Sequence, residues 1–228
     1  MSVVLTHPLF SIAVTLSFYW IALLVHDRCS WIHPLLLSTI ALILLLFVLR
    51  IPYGTYQNGG RVFSYLLGPA TVALGVPMYK QGLLLKRSLR RLLIVVLTGS
   101  IVGMATAGVT AWLLGASHQA VMSTLSKSVT TPIAIQATQQ LHGNPTITVA
   151  MVLISGLLGS IFGPGILRLA NILHDHAVGS AIGTSSHAIG TASLLRTSEV
   201  QGSVSSLAMS MAGVITAILA TLLSWYWH

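Results

Sequence analysis

Uncharged apolar runs alternate with short polar breaks along the whole chain. Residues 9–25, 35–49, 92–116, 145–167 and 200–227 contain no formal charge. About 20 helical residues cover the ~30 Å hydrocarbon core of a bilayer. The runs 92–116, 145–167 and 200–227 therefore predict full membrane-spanning helices, and 9–25 and 35–49 predict two earlier spans. Three of these runs open at a proline, after His7-Pro8, His33-Pro34 and Asn144-Pro145. The last ends in Trp225-Tyr226-Trp227, an aromatic cluster suited to the headgroup level.

Three further apolar segments are interrupted. Residues 62–79 contain Gly68-Pro69, Gly75 and Pro77; residues 120–141 contain Lys127 and Thr131-Pro132; residues 177–195 contain Gly179, Gly183, His187 and Gly190. A helix broken in lipid leaves backbone groups unpaired, so such breaks survive only within protein or beside a water-filled cavity. Broken helices of this kind build the midplane sites of secondary transporters.

Composition narrows the class. Hydrophobic residues make up 54% and charged residues 6% of the 228 positions, and mean hydropathy is +0.88. Soluble domains carry about 25% charged residues. Soluble enzymes, nucleic-acid-binding domains and disordered chains are excluded in favour of an all-α polytopic membrane protein. Eleven Lys and Arg face three acids, a net charge of +8. Lys80, Lys86, Arg87, Arg90 and Arg91 are expected to form a cytoplasmic loop by the positive-inside rule, with the N-terminus three spans back on the other side. The N-terminus lacks the basic start of a cleavable signal, and a single cysteine, Cys29, excludes an internal disulfide.

Gly68-Pro-Ala-Thr-Val-Ala-Leu-Gly75 and Gly183-Thr-Ser-Ser-His-Ala-Ile-Gly190 both read G-x-x-x-x-A-[L/I]-G, about half a chain apart. His33-Pro34 and Asn144-Pro145 repeat at nearly the same offset. Two structural repeats are expected, residues 1–116 and 117–228, in inverted orientation, with the interrupted helices crossing near the midplane. Gly99-x-x-x-Gly103 and Ser155-x-x-x-Gly159-x-x-x-Gly163 predict close helix packing, within one chain or at a homodimer seam.

Lys127 is the only formal charge between Arg91 and Arg168. Six hydroxyls surround it in 123–131, and Pro132 suits the first turn of a helix capped by Thr130 or Thr131. A cation, hydroxyls and a helix N-terminus are what a carboxylate requires. Lys127, Ser128, Thr130 and Thr131 are therefore candidate ligands; the competing reading is a lysine snorkelling to the interface. Ser185, Ser186, His187 and Thr191 form a second constellation, in which His187 donates to a carboxylate, carries a proton, or is a buried ring satisfied by a hydroxyl. Asn58, Arg61, Thr71 and Asn144 are candidates for a cavity mouth, with a turn at Asn58 and a plain helix start at Asn144 as alternatives. No span has an internal carboxylate. His174-Asp175-His176 reads as a loop motif, so no metal and no cofactor are expected. Ser-His hydrolysis lacks an orienting acid nearby, so catalysis is not expected.

Lys127-Ser-Val-Thr-Thr-Pro-Ile-Ala134, Gly183-Thr-Ser-Ser-His-Ala-Ile-Gly-Thr191 and Leu67-Gly-Pro-Ala-Thr-Val-Ala-Leu-Gly-Val-Pro77 resemble the LrgB/CidB family. The resemblance runs over essentially the whole chain. It implies a multi-pass protein of the bacterial inner membrane and a small LrgA/CidA-type membrane partner. It further implies transport of a small 2-hydroxy- or 2-oxo-monocarboxylate, of the glycolate, glycerate, lactate or pyruvate type, as in a plastid relative. The alternative that it implies is an antiholin-like protein modulating murein hydrolase export and lysis.

Overall fold

Prolines and polar caps open most of the helices where the sequence places them. The computed structural model describes residues 7–29, 33–73, 75–80 and 82–226, with backbone alone at 64, 67, 68, 70, 71, 75, 77, 78 and 82–88. The described residues are helical, with no strand among them. Pro8 starts α1 (Pro8–Arg28), where Nδ1 of His7 accepts from the Leu9 N–H at 3.3 Å. Pro34 starts α2 (Pro34–Val48). α3 (Tyr53–Ala73) and α4 (Gly75–Lys80) follow, then α5 (Gly82–Leu113), α6 (His118–Thr124) and α7 (Thr131–Gln140). α8 (Pro145–Leu169) again begins at a proline, where the Asn144 carboxamide oxygen caps the Thr146 N–H at 2.9 Å. α9 (Asp175–Leu195) and α10 (Glu199–Tyr226) complete the chain. Proline fits these first turns because its missing N–H would have no partner there.

Among the described residues, four stretches are long and apolar enough to cross a membrane: Pro8–Arg28, Leu89–Leu113, Pro145–Leu169 and Glu199–Tyr226. α2 is a shorter apolar helix. Trp20, Phe47, Ile101, Leu158 and Ile218 all lie on exposed faces. Contiguous apolar exposure on this scale requires a lipid solvent. At the end of α10, Trp225 and Tyr226 are exposed, whereas Trp227 lies outside the described residues.

The sequence reading of the breaks needs three corrections. Gly68-Pro69 does not end a helix: α3 runs through Pro69 to Ala73. The basic cluster is not a loop, because α5 begins at Gly82 and its backbone carries Lys86 through Arg91 in helical form. Leucine, lysine and arginine are strong helix formers, and no breaker separates them from the apolar stretch. In α9, Gly183 and Gly190 do not break the helix; the departure is at His187, with φ 41° and ψ −136°.

The chain forms two compact units, Met1–Ala73 and Leu74–His228. In the first, α1 packs on α2 and α3, and the hydroxyls of Thr15 and Tyr56 share a hydrogen bond of 2.8 Å. Thr15, Tyr19, Ser38, Tyr56 and Gln57 help to line a cavity of about 480 Å³ there.

In the second unit α9 and α10 pack most intimately, with α8 and α5 against them. Small residues allow this approach. A Cβ on Gly179 would meet the Gln201 carbonyl oxygen at 2.6 Å, and one on Gly183 would run into the Ser205 carbonyl. On α8, Gly156 faces the His187 ring, Gly159 faces Ser186 and Gly163 faces Ile182. The Ser155/Gly159/Gly163 stripe is thus filled within the chain. Where lipid gives no hydrophobic drive between helices, such close van der Waals contact is what holds them. A dry cluster of Leu92, Val96, Val129, Ala134, Val152, Val204, Ala208, Ala212 and Ile215 joins α5, α7, α8 and α10.

Candidate functional site

Between α6 and α7 the chain runs through turns and a bend, residues 125–130, in place of a continued helix. Thr130 is the N-cap of α7, extended at φ −64° and ψ 146°, and Pro132 occupies the first turn. The Thr130 hydroxyl makes no capping bond, so the positive end of α7 keeps free donor capacity. Lys127 lies in this break, half-buried, and its Nζ donates to Ser128 Oγ at 3.2 Å. Among the described residues no carboxylate pairs with it.

A chain of hydroxyls fixes the break in place. Ser126 Oγ lies 2.9 Å from Thr138 Oγ1, and Thr138 Oγ1 lies 2.8 Å from Thr148 Oγ1. Ser126 also donates to the Ala134 carbonyl at 3.2 Å, and Thr148 donates to the Ser123 carbonyl at 3.0 Å. Ser126, Thr138 and Thr148 are fully buried. The Ser123 hydroxyl in turn accepts from the Asn144 N–H at 2.7 Å. The loop is therefore tied to α7 and α8 by polar bonds, which are costly to leave unmade away from water.

The second constellation sits at the bend of α9. His187 is 3% exposed. Its Nε2 is 3.0 Å from the Val152 carbonyl oxygen of α8. A carbonyl only accepts, so Nε2 carries the proton and Nδ1 of the neutral ring is an acceptor. The partner of the ring is thus a carbonyl of another helix, where the sequence suggested a hydroxyl. Thr191 Oγ1 donates to the His187 carbonyl at 2.7 Å and meets Ser205 Oγ of α10 at 2.8 Å. Ser155 Oγ donates to the Ser185 carbonyl at 3.2 Å, and the Ser185 and Ser186 hydroxyls are 3.0 Å apart. A non-glycine residue at positive φ stores backbone strain of about 1–3 kcal/mol, and persists because its surroundings over-determine it.

The two constellations meet the same helix. Both abut α5: a Cβ on Gly99 would lie 3.1 Å from Thr184 Cγ2, and one on Gly103 would lie 4.0 Å from Ser128 Oγ. The sequence signal for this wall was the Gly99/Gly103 spacing, read only as packing.

The proposed cavity-mouth residues are scattered. Asn58 and Arg61 are exposed on α3 of the first unit. Thr71 is on the same helix, and its side chain lies outside the described residues. Asn144 is the cap of α8. Among the described residues no cluster of three or more His, Cys, Asp or Glu is placed to hold a metal. Asp175 instead accepts from Gln201 Nε2 at 2.8 Å.

Comparison with known proteins finds relatives over most of the chain. An uncharacterised protein of Haemophilus influenzae is 35% identical over 91% of this chain and 90% of its own length. YxaC of Bacillus subtilis is 37% identical over 86% of this chain and 85% of its own. The holin-like protein CidB of Staphylococcus epidermidis is 31% identical over 93% of each. No solved structure matches. The LrgB-like family pattern matches residues 15–225, nearly the whole chain. The chain belongs to the LrgB-like family.

Proposed function

We propose that this membrane protein is a secondary carrier of small monocarboxylates. The observation that carries the reading is Lys127: a half-buried ammonium at a helix break, with a neutral hydroxyl as its hydrogen-bond partner. Intramembrane charge is expensive and is retained for function. The free N-terminus of α7 adds positive potential of the same sign. An anion relieves both. Ser128, Thr130 and Thr131 supply donors from the first break, and Ser185, Ser186, His187 and Thr191 complete the site from α9.

His187 gives this carrier a route to proton coupling. Neutral, its one N–H is committed to Val152. Only the protonated ring has Nδ1–H to offer a carboxylate. Proton and substrate therefore bind together, and the cycle is symport. Two inverted repeats, 1–116 and 117–228, with helices crossing near the midplane, would provide alternating access. The expected setting is the bacterial inner membrane, with a small LrgA/CidA-type partner.

The test is uptake of radiolabelled glycolate, glycerate, lactate and pyruvate into proteoliposomes, with and without the partner and a pH gradient. Saturable uptake that Lys127→Ala abolishes, without loss of expression, supports the carrier. The holin-like names of the CidB relatives favour a second reading, an antiholin-like regulator of lysis. Absence of saturable uptake under every condition would favour that regulator.

A further inference from the structure

The first unit holds a cavity of about 480 Å³, lined by residues of α1 and of α2 and α3, which both pack on α1. Small-molecule sites have volumes of roughly 300–1,000 Å³. Leu16, Thr39, Tyr53 and Gln57 line the cavity and are exposed, so it is open to entry. Thr15 and Tyr19 lie within about one turn of the midpoint of α1, a helix long and apolar enough to cross a membrane. The cavity therefore sits at membrane depth, where hydrocarbon offers no partner to a polar side chain.

The lining is polar without being charged. Leu16, Leu42 and Phe63 give it an apolar part, and hydroxyls and a carboxamide give it a polar one; among the described residues no Lys, Arg, Asp, Glu or His lines it. An ion placed there has no counter-charge, so the fitting occupant is neutral. The protons of the polar part can be followed one by one. Thr15 spends its own on the Ser11 carbonyl at 2.7 Å. It therefore accepts from Tyr56, 2.8 Å away, and the Tyr56 proton is spent as well. Ser38 donates to the Leu35 carbonyl at 3.1 Å. Thr39, Tyr53 and Gln57 are left: among the described residues no hydrogen bond takes up their donors. Thr39 stands on α2, and Tyr53 and Gln57 stand on α3. Unmet donors are rarer in proteins than unmet acceptors, so the missing partner is an acceptor.

We propose that this cavity binds an uncharged, membrane-dissolved molecule through its carbonyl oxygens. Thr39, Tyr53 and Gln57 donate to those oxygens, and the hydrocarbon body lies against Leu16, Leu42 and Phe63. Two sources of such a group dissolve in a bilayer: the ring carbonyls of a quinone and the ester carbonyls of a neutral glyceride. The Lys127 site belongs to the second unit, so this assignment stands apart from the carboxylate reading.

The experiment is equilibrium binding to the full chain in nanodiscs of ether-linked phospholipid, which brings no carbonyl of its own, with empty discs as background. The probes are radiolabelled decylubiquinone and dioctanoylglycerol. The comparison is the dioctyl ether of glycerol, which keeps the chains and lacks the carbonyls. At least one probe should saturate at one per chain, and binding of either supports the proposal and names the source. The diether should bind about tenfold more weakly than a glyceride that binds. Tyr53→Phe and Thr39→Val each remove one donor with little change of shape, and each should weaken the bound probe about two- to tenfold. Neither hydroxyl has a partner to orphan, so both variants are expected to fold. Thr98→Val, on α5, should leave binding unchanged. Absence of saturable binding by both probes would overturn the proposal. So would a diether that binds as tightly as the glyceride, or affinities that neither Tyr53→Phe nor Thr39→Val alters.

Discussion

Replacing Thr138 by valine tests whether hydroxyls hold the Lys127 break in shape. The two side chains are nearly isosteric, so no cavity opens and the change is chemical. Thr138 Oγ1 meets Ser126 Oγ at 2.9 Å and Thr148 Oγ1 at 2.8 Å. Three hydroxyls bring three protons, whereas their contacts also include the carbonyls of Ala134, Ser123 and Asn144. The valine removes one proton and one acceptor, and both neighbours keep a carbonyl to bond. The loss is therefore one to two hydrogen bonds without an orphan. At about 0.5–1.5 kcal/mol each in water-soluble proteins and about 0.6 on average between membrane helices, that is roughly 1–2 kcal/mol. Reversible denaturation in mixed micelles reads it directly. A cycle with Ser126→Ala should show coupling of about 0.6 kcal/mol, since the two residues share a bond. Binding of a monocarboxylate should weaken in parallel, because Lys127 follows Ser126 in the chain. Unchanged stability, or strict additivity in the cycle, would refute the reasoning and leave the break to be fixed by apolar packing alone.

His187→Gln should abolish the rise in uptake that accompanies acidification of the substrate side, since glutamine cannot gain a proton; a preserved pH profile in proteoliposomes would make the imidazole structural. Gly159→Ala should destabilise the second unit by about 1–3 kcal/mol, because the new methyl runs into Ser186; unaltered thermal unfolding would contradict the packing. Thr191→Val should cost about 1–3 kcal/mol by orphaning Ser205 Oγ, which sits 2.8 Å from Thr191, with a double variant carrying Ser205→Ala recovering part of the loss.

The helix starts were legible because proline writes them locally: Pro8, Pro34, Pro132 and Pro145 all occupy first turns. The polar break at Lys127 was legible for the same reason. An interruption within 177–195 was legible too, but its position was not. Glycine is the residue expected to depart from helical angles, yet Gly183 stays helical because its missing side chain lets the Ser205 backbone approach. His187 departs instead, held by Val152 from another helix. That choice is made by tertiary contact, which a local reading does not see.

The length of α5 has a mechanical consequence. Its 32 residues rise about 48 Å at ~1.5 Å each, well beyond a ~30 Å hydrocarbon layer. The surplus at its start carries Lys86, Arg87, Arg90 and Arg91. Drawing each such charge toward the bilayer centre costs about 2.5–3.5 kcal/mol on insertion scales. α5 is thus moored at one depth. On the proposed carrier reading, any vertical travel would fall to the broken segments that meet it at Gly99 and Gly103.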